Sequence, residues 1–159
     1  VSFPLFLVLL ASCCGYALLR GGAPERWSAA LQLAAFAAGM PLHLAKADYR
    51  SIEFAGALID GALFLALFVL AWRSTRFWPL YVAAWQLTTI LVHLGKGLDP
   101  GMYPAGYAIQ AQFWAYPMLL ATAVGAWRHQ RRLQTGVVDP AWKHAGLRSR
   151  GTFRSTDLN

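Results

Sequence analysis

The sequence predicts an all-α polytopic integral membrane protein with five transmembrane helices, arranged as one helix followed by two helical-hairpin repeats, amino terminus outside and carboxyl terminus inside. Three observations predict it. The 159 residues are 57% hydrophobic and only 13% charged, too apolar a balance for an ordinary soluble domain. The charges gather in short clusters and towards the carboxyl end, leaving apolar runs of roughly 17 to 21 residues, about the length that crosses a ~30 Å hydrocarbon core at ~1.5 Å per residue. Aromatic residues (Trp27, Trp72, Phe77, Trp78, Tyr103, Tyr107 and Trp127) stand at the ends of these runs, where amphipathic rings favour the headgroup zone.

The first helix is expected over 3–19. Within it, "LASC" at Leu10 to Cys13 resembles the lipobox of bacterial lipoproteins. No Lys or Arg precedes the apolar run, and cleavage there would put the basic loops on the wrong face, so a retained helix is the better reading. A disulfide between the adjacent Cys13 and Cys14 would be strained, and both thiols read as small apolar residues.

The second helix is expected over 27–44 and closes on "MPLHLAKADYR"; the fourth, over 77–94, closes on "LVHLGKGLDPG". The third helix spans 54–72 and the fifth 107–127. Pro41 and Pro117 withdraw a hydrogen bond from the carbonyls of Ala37 and Phe113, whereas Pro79 falls harmlessly in a first turn. These helices form a bundle over 1–132. The segment 133–159 lacks periodic apolar residues and reads as an irregular, basic cytoplasmic tail drawn to anionic lipid headgroups.

Orientation follows from the loops. With the amino terminus outside, eleven Lys and Arg residues lie inside and three (Lys46, Arg50 and Lys96) outside; without the tail the split is seven to three. The positive-inside rule then assigns the net charge of +7 to topology in a bacterial-type inner membrane, not to nucleic acid. The repeat rests on two echoes. "HLAK" at 43–46 returns as "HLGK" at 93–96, and "AWRS" at 71–74 returns as "AWRH" at 126–129, which pairs helices two and three with helices four and five.

The polar residues of these helices are the candidate site. Gln86, Thr89, His93 and Lys96 follow one another at intervals of three, four and three on one face of the fourth helix, and Gln32, Gly39, His43 and Lys46 share a face of the second. Asp60 lies on the third helix among Gly56, Ala57 and Gly61, whose small side chains admit a second helix. A carboxylate facing lipid is costly, so Asp60 is expected to turn inward and meet His43 and His93 in a buried polar cluster lined by Gln86 and Gln110. Lys46 and Lys96 read as interface anchors that reach for water.

No phosphate-binding glycine loop, paired-cysteine metal site, HExxH motif or serine elbow is found. The reading that follows is a non-catalytic accessory or scaffold subunit of a larger inner-membrane assembly, working through helix packing against other integral membrane proteins. The alternatives are a haem b- or quinone-binding electron-transfer protein using His43 and His93, and a small transporter. No metal site is expected.

Overall fold

The computed structural model describes residues 3–44, 49–99, 104–136 and 141–143. The elements are α1 (Phe3–Arg20), α2 (Ala23–Leu44), α3 (Tyr49–Arg73), α4 (Trp78–Leu98), α5 (Pro104–Phe113) and α6 (Ala115–Gln134). Trp114 alone separates α5 from α6, so the described residues form five helical rods, the last broken once. Two of the helices, within Phe3–Arg20 and Phe54–Arg73, are long and apolar enough to cross a membrane by length and composition.

Local chemistry explains where the helices begin and end. Between α1 and α2 the chain turns on Gly21 and Gly22 alone, and a Cβ on Gly21 would collide with the Ala17 carbonyl and with Glu25. Pro24 and Glu25 occupy the first turn of α2, where a missing N–H costs nothing and a carboxylate faces the positive end of the helix dipole. The helices outrun the apolar stretches that announce them. Backbone pairing continues into polar flanks, so α2 starts at 23 rather than 27, α3 at 49 rather than 54, and α4 runs on to 98.

The two prolines behave differently. Pro41 sits inside α2, which continues to Leu44. Pro117 has no N–H for the Phe113 carbonyl, and the expected single helix over 107–127 breaks at Trp114 into α5 and α6.

Helices α2, α3, α4 and α6 close a four-membered ring, each touching the next, and α1 lies in the groove between α2 and α6. α1 and α6 run parallel. Near one end Phe6 packs edge-on against Tyr116 at 5.7 Å, and at the other Gln130 Nε2 donates to the Arg20 carbonyl. One apolar core (Leu10, Cys14, Ala17, Ala29, Leu119, Ala126) joins α1, α2 and α6; the other (Leu63, Leu67, Leu70, Val82, Met118) joins α3, α4 and α6. Positions 55 apart are buried alike: Leu63 with Met118, Leu67 with Thr122, and Ala71 with Ala126.

The described part of the tail, 141–143, lies against the α3–α4 turn. Ser74 and Trp142 form an antiparallel bridge, Lys143 N donates to the Arg73 carbonyl at 3.1 Å, and the Lys143 ammonium stands 5.7 Å from the centre of the Trp72 ring.

Candidate functional site

Polar side chains enter this bundle at three levels. At the end where α4 finishes, Asp60 of α3 is bracketed by two residues of α4 that are two turns apart. Gln86 Nε2 donates to Asp60 Oδ1 at 2.9 Å and to the Asp60 carbonyl at 3.2 Å, while His93 Nε2 lies 2.8 Å from Asp60 Oδ2. Each carboxylate oxygen thus has its own partner. The His93 side chain is 12% exposed and that of Asp60 29%, so the pair sits at the margin of the bundle with Gln86 and Thr89 buried beneath it.

At the opposite end lies a more deeply buried charge cluster. The Arg76 guanidinium, from the α3–α4 turn, bonds through Nη1 to Glu25 Oε1 and through Nη2 reaches His129 Nδ1 of α6 at 3.0 Å. Trp78 Nε1 donates to the same Glu25 oxygen at 3.2 Å. The side chains of Glu25 and Arg76 are 0% and 4% exposed, so each charge relies on the other rather than on water. Ser74 Oγ accepts from the Arg76 backbone N–H and shapes the turn that delivers it. Gly22 makes room: a Cβ there would stand 3.0 Å from His129 Cε1 and 3.1 Å from Glu25 Oε2. Gly125 does the same for the Trp78 ring, which would be 2.7 Å away.

Between these ends, the α2–α6 seam carries a buried trio. Ser28 Oγ and Thr122 Oγ1 are 3.1 Å apart, and Gln32 Nε2 donates to Thr122 Oγ1 at 2.8 Å and to Ser28 Oγ at 3.0 Å. Thr122 Oγ1 also donates back to the Met118 carbonyl at 3.0 Å. Glu25, Ser28 and Gln32 follow at intervals of three and four, so α2 turns one polar face inward.

Of the residues that the sequence nominates, Asp60, Gln86 and His93 come together. Gln110 lies exposed on α5, and Lys96 is half-buried in the last turn of α4. The side chain of His43 and the whole of Lys46 lie outside the described residues. A Cβ on Gly39 of α2, or on Gly56 or Gly61 of α3, would meet nothing within 4 Å; α3 packs inside the chain through Leu63, Leu67 and Leu70 instead. The close approaches fall at Gly21, Gly22 and Gly125.

No protein-family model, curated protein or solved structure matches this chain. Its chemistry therefore rests on the groups themselves. Among the described residues no three His, Cys, Asp or Glu side chains converge on a metal-sized point. Asp60 and His93 are joined by a hydrogen bond between α3 and α4. Glu25, Arg76 and His129 tie α2, the α3–α4 turn and α6 into one clamp. Sequence reasoning passed over that clamp by counting Arg76 as a topology charge. The signal was a single Glu among basic residues, together with the His that replaces Ser at the end of the second "AWR" echo.

Proposed function

We propose that this chain is a multi-pass inner-membrane protein, amino terminus out and carboxyl terminus in, that serves as a non-catalytic accessory or scaffold subunit by offering helix faces to other membrane proteins. Its lateral surface carries many large apolar side chains, and its interior holds polar groups beside an apolar core. Glu25, Ser28, Gln32, Arg76, Gln86, Thr89 and Thr122 are buried, whereas Leu5, Val8, Leu58, Leu65, Phe68, Leu80 and Leu91 are exposed, the arrangement that suits a hydrocarbon solvent. The basic ends of α1, α3 and α6 meet at one end of the bundle through the contacts of Arg20, Arg73 and Arg76, in keeping with an inner face. Equal burial of positions 55 apart supports a duplicated hairpin.

The observation that carries the functional reading is the outer face of α3. Phe54, Leu58, Gly61, Leu65, Phe68 and Trp72 recur at intervals of four, three, four, three and four, the spacing of a coiled-coil seam. The five large side chains are exposed, and the space over Gly61 is open. A small residue amid large ones on such a stripe admits a transmembrane helix of another protein more closely than disordered acyl chains require.

The test is gentle detergent extraction of tagged wild-type and Gly61→Leu protein, followed by mass spectrometry. The reading expects a defined set of membrane proteins with the wild type, lost in Gly61→Leu at unchanged melting temperature. An identical set from both, or a lone monomer from the wild type, would refute it. The second reading, electron transfer through haem b or a quinone, is favoured by the hydrogen-bonded Asp60–His93 pair. It predicts a Soret band, or co-extracted quinone, that disappears in His93→Ala.

A further inference from the structure

The parallel course of α1 and α6 leaves a cleft at the basic end of the bundle, a hollow of about 250 Å³ lined by Tyr16, Arg20, Trp127, Gln130, Arg131 and Gln134. Its two walls follow one plan. On α1, Tyr16 stands one turn before Arg20, and on α6, Trp127 stands one turn before Arg131. Each wall thus places an aromatic ring one helical turn, about 6 Å, deeper than a guanidinium, the order in which a bilayer presents its glycerol region and its phosphates. Arg131 lies over the Trp127 ring, 4.5 Å from the centroid. A stacked guanidinium keeps its N–H edge directed away from the ring, where it can grip phosphate oxygens in a fork.

The floor and the sides fit the same ligand. Gln130 spends its amide on the Arg20 carbonyl, which quiets one of the orphan acceptors at the α1 terminus. The two helix ends together present about one negative charge, which the two guanidiniums outweigh. Towards the membrane centre, the α6 wall continues in exposed Val124 and Leu120, three and seven residues before Trp127, an apolar track for an acyl chain.

We propose that the α1–α6 cleft is a binding site for the phosphate headgroup of an anionic phospholipid, held between Arg20 and Arg131 with Tyr16 and Trp127 setting its depth. This rests on the membrane reading above, with that end of the bundle at the inner leaflet.

The experiment is native mass spectrometry of the full chain in a neutral detergent, titrated separately with phosphatidylglycerol, phosphatidylcholine and inorganic phosphate. One phosphatidylglycerol is expected to bind in preference to phosphatidylcholine. Affinity should fall by roughly tenfold or more in the double variant Arg20→Gln, Arg131→Gln, because each guanidinium supplies charge-assisted hydrogen bonds to the phosphate. In the double variant Arg26→Gln, Arg73→Gln, which removes two exposed arginines from α2 and α3, affinity should stay within about twofold if attraction to general positive charge is small beside the site. Equal losses in both double variants would reduce the effect to diffuse charge and overturn the site. So would equal binding of the two lipids, or full competition by inorganic phosphate at lipid concentrations. Circular dichroism of each variant confirms that binding is read on folded protein. A chain that stays dissolved and monomeric without detergent would overturn the membrane reading itself, an outcome separate from a membrane-embedded protein that lacks lipid preference.

Discussion

His93 Nε2 and Asp60 Oδ2 stand 2.8 Å apart, and the other oxygen of the same carboxylate is held by Gln86 at 2.9 Å. α3 and α4 are therefore joined by a carboxylate whose two lone-pair faces are both engaged.

Replacing Asp60 by Leu should lower stability by about 1–2 kcal/mol, and by Asn about half as much, because the amide keeps one acceptor for Gln86. Thermal unfolding in detergent measures both. A double-mutant cycle with His93→Ala should give a coupling near 1 kcal/mol. Equal stability of the Leu and Asn variants would mean that the carboxylate contributes nothing.

Glu25 and Arg76 form the costlier pair to break. Glu25→Leu or Arg76→Met alone should destabilise by about 3–5 kcal/mol, since each leaves a buried charge without its counterion. The double variant should lose much less than the two single losses added together. Strict additivity in chemical unfolding would show that the two side chains do not act as a pair.

Gly125 and Gly61 should respond oppositely to Ala. The added methyl at Gly125 would stand 2.7 Å from the Trp78 ring, and at Gly61 it meets open space. Gly125→Ala should cost about 1–3 kcal/mol by overpacking and shift the Trp78 emission. Gly61→Ala should leave stability unchanged or slightly raised, as is usual for Gly to Ala in a helix.

Thr122→Val removes a hydroxyl that Gln32 and Ser28 both use. A loss of about 1 kcal/mol is expected, since Gln32 Nε2 keeps the Ser28 hydroxyl as an acceptor, and Gln32→Leu in the same background should cost a further amount of similar size. Melting temperatures of the two variants decide this.

Much of the architecture was legible because long, uninterrupted apolar runs favour long helices. The five apolar runs anticipate the helical rods, and the seven-residue spacing that puts Gln86 and His93 on one face of α4 anticipates that both can reach Asp60. Helix ends were less legible, since Glu25 and Arg26 look like loop residues in a hydropathy profile yet lie within α2. The Glu25–Arg76–His129 clamp was hidden for another reason. Its members lie 51 and 53 residues apart in the chain, and no periodic pattern links a helix start, a turn and a helix end. Gly22 and Gly125 were likewise invisible, because a glycine's role depends on which side chain lies opposite it.

The bridge between Ser74 and Trp142 has a consequence for biogenesis. The hairpin of α3 and α4 must be made well before its bend can be clasped, because the clasp is encoded far downstream. The bend closes only after the ribosome has read past Lys143, so α6 must already have been made when the last fastening forms.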